Sequence, residues 1–305
     1  MPKLIQAVRR HPRRWGALLV LSGAALVLAG SLISTRDVTA QPGEPQQGQQ
    51  PPPDIAPASL TPFQTFSSNA DRGTRVVVST HGNVIEFNSP NTAGADYDHI
   101  AAGTIAEGYM LCYTPQGGTQ KTTFDLAASG ENGFGAATNL TGPVRVNRAT
   151  SDGILQLNQT FTFNGQNKAL TIKMVVRNNS GAPVTGILLS RVVDFDVDSG
   201  GPNGGWDGFN DWHAIIDTQG AGGDSVFAWS ERDAYPTGGE AHGMILRHLT
   251  QSGGVSHRAA IHNLTCGPPE TNTPIYGDLA DGLVYSIPNL AAGASKTINI
   301  QYQRY

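Results

Sequence analysis

The stretch ILQLNQTFTFNGQNKALTIKMVVRN, residues 154–178, constrains the fold more than any other part of the chain. Leu155, Leu157, Phe161 and Phe163 alternate with Gln156, Asn158, Thr160 and Thr162. A period of two sends these sets to opposite faces of a strand. Asn164-Gly165 then opens a turn, a strong hairpin signal. Leu170, Ile172, Met174 and Val176 resume the inward set. After a second turn, NNSGAP, the segment VTGILLSRVVDFDVD (184–198) continues as a third strand.

The same grammar recurs along the chain. Residues 75–80 and 83–88 flank His81-Gly82 as a hairpin, and 109–114 follow. Residues 225–229, 243–249, 256–264, 283–287 and 297–303 are further strand candidates. No amphipathic helix is evident after residue 40, and no fixed-period repeat stands out. Some twelve or thirteen strands joined by turn-rich connections predict an all-β domain, a large antiparallel β-sandwich or jelly roll, over residues 60–305. The segments MVVRNNSGAPVTGILLS and LAAGASKTINIQYQ resemble strand–turn–strand pieces of immunoglobulin-like bacterial surface modules, a likeness that implies no activity.

What precedes this domain speaks to location. Lys3, Arg9, Arg10, Arg13 and Arg14 lead into nineteen uncharged residues, 15–33, and then to Val38 and Ala40. This is the pattern of a secretory signal peptide over residues 1–40, long enough to serve instead as a retained signal anchor. Residues 41–59, dense in Pro and Gln, predict a disordered linker. The expected location is therefore secreted or extracytoplasmic.

Six of the twenty basic residues and one of the 24 acids precede Gln41, leaving 14 bases and 23 acids, net −9. That balance argues against nucleic acid, and against a membrane surface apart from the N-terminal anchor. Cys112 and Cys266 are the only cysteines, and one disulfide is the economical reading. The histidines at 81, 99, 213, 242, 248, 257 and 262 form neither H-x-H nor H-E-x-x-H, so no zinc site is expected. No serine lies in G-x-S-x-G.

The chemically loaded segment is DFDVDSGGPNGGWDGFNDW, 194–212. If the strand runs to residue 198, Ile187, Leu189, Val193, Phe195 and Val197 share a core face interrupted by Arg191. Asp194, Asp196 and Asp198 share the other face, about 6.5–7 Å apart. Between Asp194 and Glu240 there are ten acids and one base, Arg232. Like charges so close raise one another's pKa unless something neutralises them. Ca2+ suits the set, because Asp194, Asp196, Asp198, Asn203, Asp207 and Asp211 offer hard oxygens on a glycine-rich chain. An EF-hand is excluded, since Ser199 and Gly205 stand where its Gly and Glu belong. A solvated acidic turn closed by Arg191 or Arg232 accounts for the segment as simply.

DFDVD also resembles the E-x-D-x-E strand motif of the family-16 glycoside hydrolases, jelly rolls that cleave β-glucans. The resemblance implies that Asp194 and Asp198 would stand at the nucleophile and acid/base positions, with Asp196 between them. Aspartate is one methylene shorter than glutamate, and retaining chemistry needs its carboxyls about 5–5.5 Å apart. Trp206 and Trp212 could contact a sugar ring. The sequence therefore points to an exported, non-catalytic surface protein binding a glycan or other surface component, with a calcium-stabilised acidic loop. The alternatives are a secreted glycan-active hydrolase or lyase using the DFDVD carboxylates, and a structural envelope or filament subunit.

Overall fold

Nineteen strands run through the described residues, and all the pairings between them are antiparallel. The computed structural model describes residues 61–69, 73–90, 96–100, 107–127, 130–195, 197, 211–218, 223–230, 243–261, 265–266, 275–276 and 280–304. The expected leader (1–40) and linker (41–59) lie outside them. Among the described residues no helix is long and apolar enough to cross a membrane.

The first strands are β1 (Pro62–Ser68), β2 (Thr74–Ser79), β3 (Val84–Pro90) and β4 (Asp96–Asp98). They form one four-stranded sheet in that order. Next come β5 (Glu107–Pro115), β6 (Lys121–Asp125), β7 (Glu131–Asn132), β8 (Phe134–Thr141) and β9 (Val144–Thr150). The central hairpin and its continuation are β10 (Leu155–Asn164), β11 (Ala169–Asn178) and β12 (Val184–Asp194). The last third holds β13 (Asp211–Thr218), β14 (Gly223–Ser230), β15 (Gly243–Gln251) and β16 (Ser256–Ile261). It closes with β17 (Ile275–Tyr276), β18 (Ala280–Ile287) and β19 (Ser295–Arg304).

A nine-stranded sheet has the order β17-β13-β14-β15-β19-β11-β10-β9-β8, and a six-stranded sheet the order β16-β18-β12-β5-β6-β7. The alternation seen in the sequence becomes register here. Leu157 lies opposite Val176, Phe161 opposite Ile172, and Ile172 opposite Ile300, all in one apolar face. That face meets Tyr109, Leu111, Ile187, Leu189, Leu283 and Tyr285 of the six-stranded sheet, and Val76, Val78 and Phe87 of the four-stranded one, in a common core.

The two larger sheets differ on their outer faces. Asn158, Thr160, Lys173 and Arg177 stand at least partly exposed outside the nine-stranded sheet. Met110, Cys112, Val192 and Val284, on the corresponding face of the six-stranded sheet, are buried. Strands β5 and β12 are thus buried on both sides, which explains their nearly unbroken apolar composition. The predicted disulfide is present between Cys112 and Cys266, with Cα atoms 5.8 Å apart. It joins residue 266 to that covered face.

Expectation and structure differ at two kinds of place. Strands β1, β4, β6, β7, β8, β9, β13 and β17 are additions to the strands expected from the sequence. On the inner face of β9, Val146 is followed by Arg148 and Thr150, so polar side chains occupy positions where alternation demands apolar ones. Strand β12 stops at Asp194, four residues before the expected end at Asp198, because its partners end opposite Val193 and Asp194, at Glu107 and Ala280. Phe195 and Val197 are nevertheless buried.

Candidate functional site

The acidic segment divides between sheets. Asp194 ends β12 in the six-stranded sheet, whereas Asp211 and Trp212 open β13 in the nine-stranded sheet. Asp194 is 6% exposed and faces the covered side with Val192. It is a buried carboxylate rather than a solvated one. Asp281, one row away opposite Val193, is buried as well. Asp196, Asp198, Asn203, Trp206, Asp207 and Arg232 lie outside the described residues, as do the side chains of Asp211 and Trp212.

Arg191 does not close the acidic turn. Its parity, opposite to that of Asp194, directs it into the core, where it is fully buried. There its Nε donates to Glu107 Oε1, its Nη1 to Gln159 Oε1 at 2.5 Å and its Nη2 to the Gly82 carbonyl at 3.2 Å. Glu107 also accepts from the Tyr302 hydroxyl at 2.7 Å and from the Val84 amide at 2.7 Å. Burial pushes the Glu107 carboxyl up to about 7, against the opposing pull of Arg191, Tyr302 and Val84. The rings of Tyr109 and Tyr302 flank the guanidinium at 5.8 and 6.0 Å.

A second charged cluster lies beside the first. Asp125, fully buried at the end of β6, accepts from Arg148 Nη1, and its Oδ2 lies 2.9 Å from His81 Nδ1. Glu131 Oε2 accepts from the same Arg148 nitrogen at 2.8 Å and lies 3.2 Å from His81 Nδ1. Arg148 spends its other donors on the Gly135 carbonyl, at 3.1 and 2.8 Å. Burial works against its charge, but Tyr109, Asp125 and Glu131 hold the guanidinium above its ordinary pKa.

Both clusters grip the turn between β2 and β3. The Tyr109 hydroxyl donates to the His81 carbonyl at 2.7 Å, and Asn83 Nδ2 to the carbonyls of Glu107 and Asp125, each at 3.2 Å. Gly82 has φ +89°, and a Cβ there would meet Gln159 Nε2 at 2.5 Å. Only glycine fits a left-handed position against so close a neighbour. Charged groups from β5, β6, β9 and β12 therefore converge on the 79–84 turn and hold it in the interior.

Chemically, this arrangement is a clasp. The acceptors of Glu107 and Asp125 face guanidinium, hydroxyl, amide or imidazole donors, so these two carboxylates are closed off by their own partners. His81, Asp125 and Glu131 place one ligand atom each within 4.8 Å of one another, a spacing compatible with a metal. Arg148 already bridges both carboxylates, so a divalent cation would have to share their oxygens with a guanidinium. One imidazole and two carboxylates also suit zinc better than calcium.

A third group was hidden from sequence spacing. His248 on β15 and His257 on β16 come from different sheets, yet their rings stack with centroids 3.8 Å apart. His248 Nδ1 lies 3.2 Å from the Tyr285 hydroxyl, and His257 Nδ1 2.9 Å from Gln251 Oε1. Burial lowers the His248 pKa from 6.5 to about 4, and His257 adds to the effect. The unfolded chain therefore binds this proton more readily than the folded one. The contribution of His248 to stability is complete above pH 6.5 and declines as pH falls towards 4. The melting temperature should drop across that window, and His248→Gln should make the drop smaller. An unchanged acid dependence in the variant would contradict this assignment.

No family model matches the chain, and no curated protein matches it. Solved structures do. A bacterial glucoamylase complexed with acarbose aligns at TM-score 0.47 and 8% identity, over 82% of this chain and 34% of its own. A polysaccharide lyase aligns at 0.40 and 11%, over 80% and 32%. A galactose mutarotase related enzyme from Lactobacillus acidophilus aligns at 0.40 and 7%, over 79% and 97%. The chain thus spans about a third of the first two proteins. The likeness is one of β-rich architecture at low identity, and no residue role carries across.

Proposed function

We propose that this chain is an exported, non-catalytic β-sandwich protein of the cell surface or extracellular space, which binds a glycan or another surface component. In this reading its acidic segment is stabilised by Ca2+. The observation that carries it is the closed state of the buried charges: Glu107, Asp125, Arg148 and Arg191 are committed to one another and to the 79–84 turn. Such groups build a scaffold, and binding then falls to loops the scaffold presents. The disulfide supports an oxidising compartment, and the apolar leader supports export.

The acidic segment is the proposed calcium-stabilised binding end. It starts at a buried carboxylate, Asp194, and carries ten acids against one base. Charges of one sign so concentrated are costly without a cation, and carboxylate oxygens are calcium ligands. Trp206 and Trp212 would supply sugar-stacking surfaces beside it.

The test is a panel of immobilised neutral and anionic glycans, probed in calcium and again in EDTA, with the supernatant examined for cleavage products. Calcium-dependent retention without product is expected. Product release that Asp194→Asn or Asp198→Asn removes would establish the hydrolase or lyase reading instead. Concentration-dependent polymers without glycan retention would favour the structural subunit.

A further inference from the structure

The charge of this chain is segregated within a single sheet. Six adjacent strands of the nine-stranded sheet, β15-β19-β11-β10-β9-β8, contain no Asp or Glu at all. They carry Arg145, Arg148, Lys173, Arg177, Arg247, Lys296 and Arg304. Two further strands of that sheet, β13 and β14, hold Asp211, Asp217 and Asp224 and no Lys or Arg. In a chain of net −9 after residue 40, an acid-free run of this size is an exception.

Register places four of the cations on the outer face. One cross-strand row reads Arg145, Thr160, Lys173, Asn299, Thr250. The next, along the strands, reads Asn147, Asn158, Val175, Thr297, and beyond it lie Gln156, Arg177 and Ser295. On the other side lie Thr162, Thr171, Gln301 and Arg247. Lys173 and Arg177 are exposed and Arg145 half-buried. These three make no salt bridge among the described residues, whereas Arg247 donates to Gln301. Arg145 and Lys173 are two strands apart, about 10 Å, and Lys173 and Arg177 four residues apart, about 13 Å.

We propose that this outer face is a docking surface for a linear anionic polysaccharide, one bearing carboxylate or sulfate groups. Unpaired guanidinium and ammonium groups match the charges, and the amide and hydroxyl rows between them offer both donors and acceptors to sugar hydroxyls. The chemistry favours a hydrated polymer over an acidic protein segment. Protein interfaces are anchored by buried aromatic or aliphatic side chains, and among the described residues the exposed large apolar ones are Leu140 and Leu249. The net negative charge that argues against polyanions is an average over the whole surface and does not describe this face. The strands of this face carry none of the carboxylates invoked above, so the two proposals stand or fall independently.

The experiment is affinity electrophoresis of the full chain through gels containing polygalacturonate, neutral dextran or polyglutamate, all in EDTA. Retardation by polygalacturonate that weakens with salt is expected, with none by dextran. The variant Arg145→Glu/Lys173→Glu/Arg177→Glu should lose at least tenfold in affinity. Its melting temperature should stay close to that of the parent, because these side chains hold nothing in place. Equal retardation of parent and variant would overturn the proposal, as would absence of retardation by polygalacturonate. Retardation by polyglutamate as strong as by polygalacturonate would also overturn it, reassigning the face to an acidic protein partner. Persistence of binding in EDTA distinguishes this face from the calcium-dependent end.

Discussion

Glu107→Gln is expected to destabilise the protein by about 3–5 kcal/mol, the usual cost of leaving a buried ion uncompensated. Arg191 is fully buried, and the amide can accept its hydrogen bond but cannot balance its charge. Arg191→Met should cost a similar amount, since it strands Glu107 and leaves Gln159 and the Gly82 carbonyl without their donor. The double variant Glu107→Leu/Arg191→Met should cost clearly less than the two single costs combined, because it removes both charges together. Some loss remains in it, as the Val84 amide and Tyr302 hydroxyl lose their acceptor. Urea unfolding of the four proteins makes the comparison. Strictly additive costs, or single variants within about 1 kcal/mol of the parent, would show that the pair does not hold the turn as described.

Removal of the disulfide should be comparably severe. Cys112 and Cys266 are 154 residues apart, and closing so long a loop lowers the entropy of the unfolded chain by the equivalent of about 5 kcal/mol. Cys112 is fully buried at the covered face of the six-stranded sheet. Cys266→Ser should therefore lower the unfolding free energy and also release residue 266 from the face that carries Met110, Cys112 and Val192. Hydrogen exchange would report the second effect as faster exchange in β5 and β12. A variant with unchanged stability and unchanged exchange would contradict both statements.

These effects arise at positions where the amphipathic pattern is broken, and that is also where sequence reading succeeded and failed. The β10–β11 hairpin was legible because its inner residues are nearly all apolar. Gln159 is a mid-strand exception, a buried amide on that inner face, and it accepts from Arg191. Arg191 itself was visible as an interruption of a core face, but its partner was not. Glu107 lies 84 residues away in sequence, and no local pattern relates the two.

Strands β6 and β9 were missed for the same reason. Their inward positions hold Asp125 and Arg148, which alternation counts as outward. The polar residues that hide a strand from the sequence are here the ones that build its central contact. The histidine pair was equally hidden, because His248 and His257 meet only through the packing of one sheet against another. The acidic segment was legible as a concentration of charge, and its place in the fold corrects one part of that reading. Asp194 is buried, and Arg191 faces away from it.

The ten acids between Asp194 and Glu240 stand against one base, Arg232, and a bound cation would neutralise them. Thermal unfolding of the purified protein in excess calcium and in EDTA addresses this directly. A cation at a hundredfold its dissociation constant stabilises by about 2.7 kcal/mol, or about 5–10 °C in a domain of this size. Calcium should raise the melting temperature by that amount, and Asp196→Asn should abolish the difference. The same melting temperature in calcium and in EDTA would contradict the account.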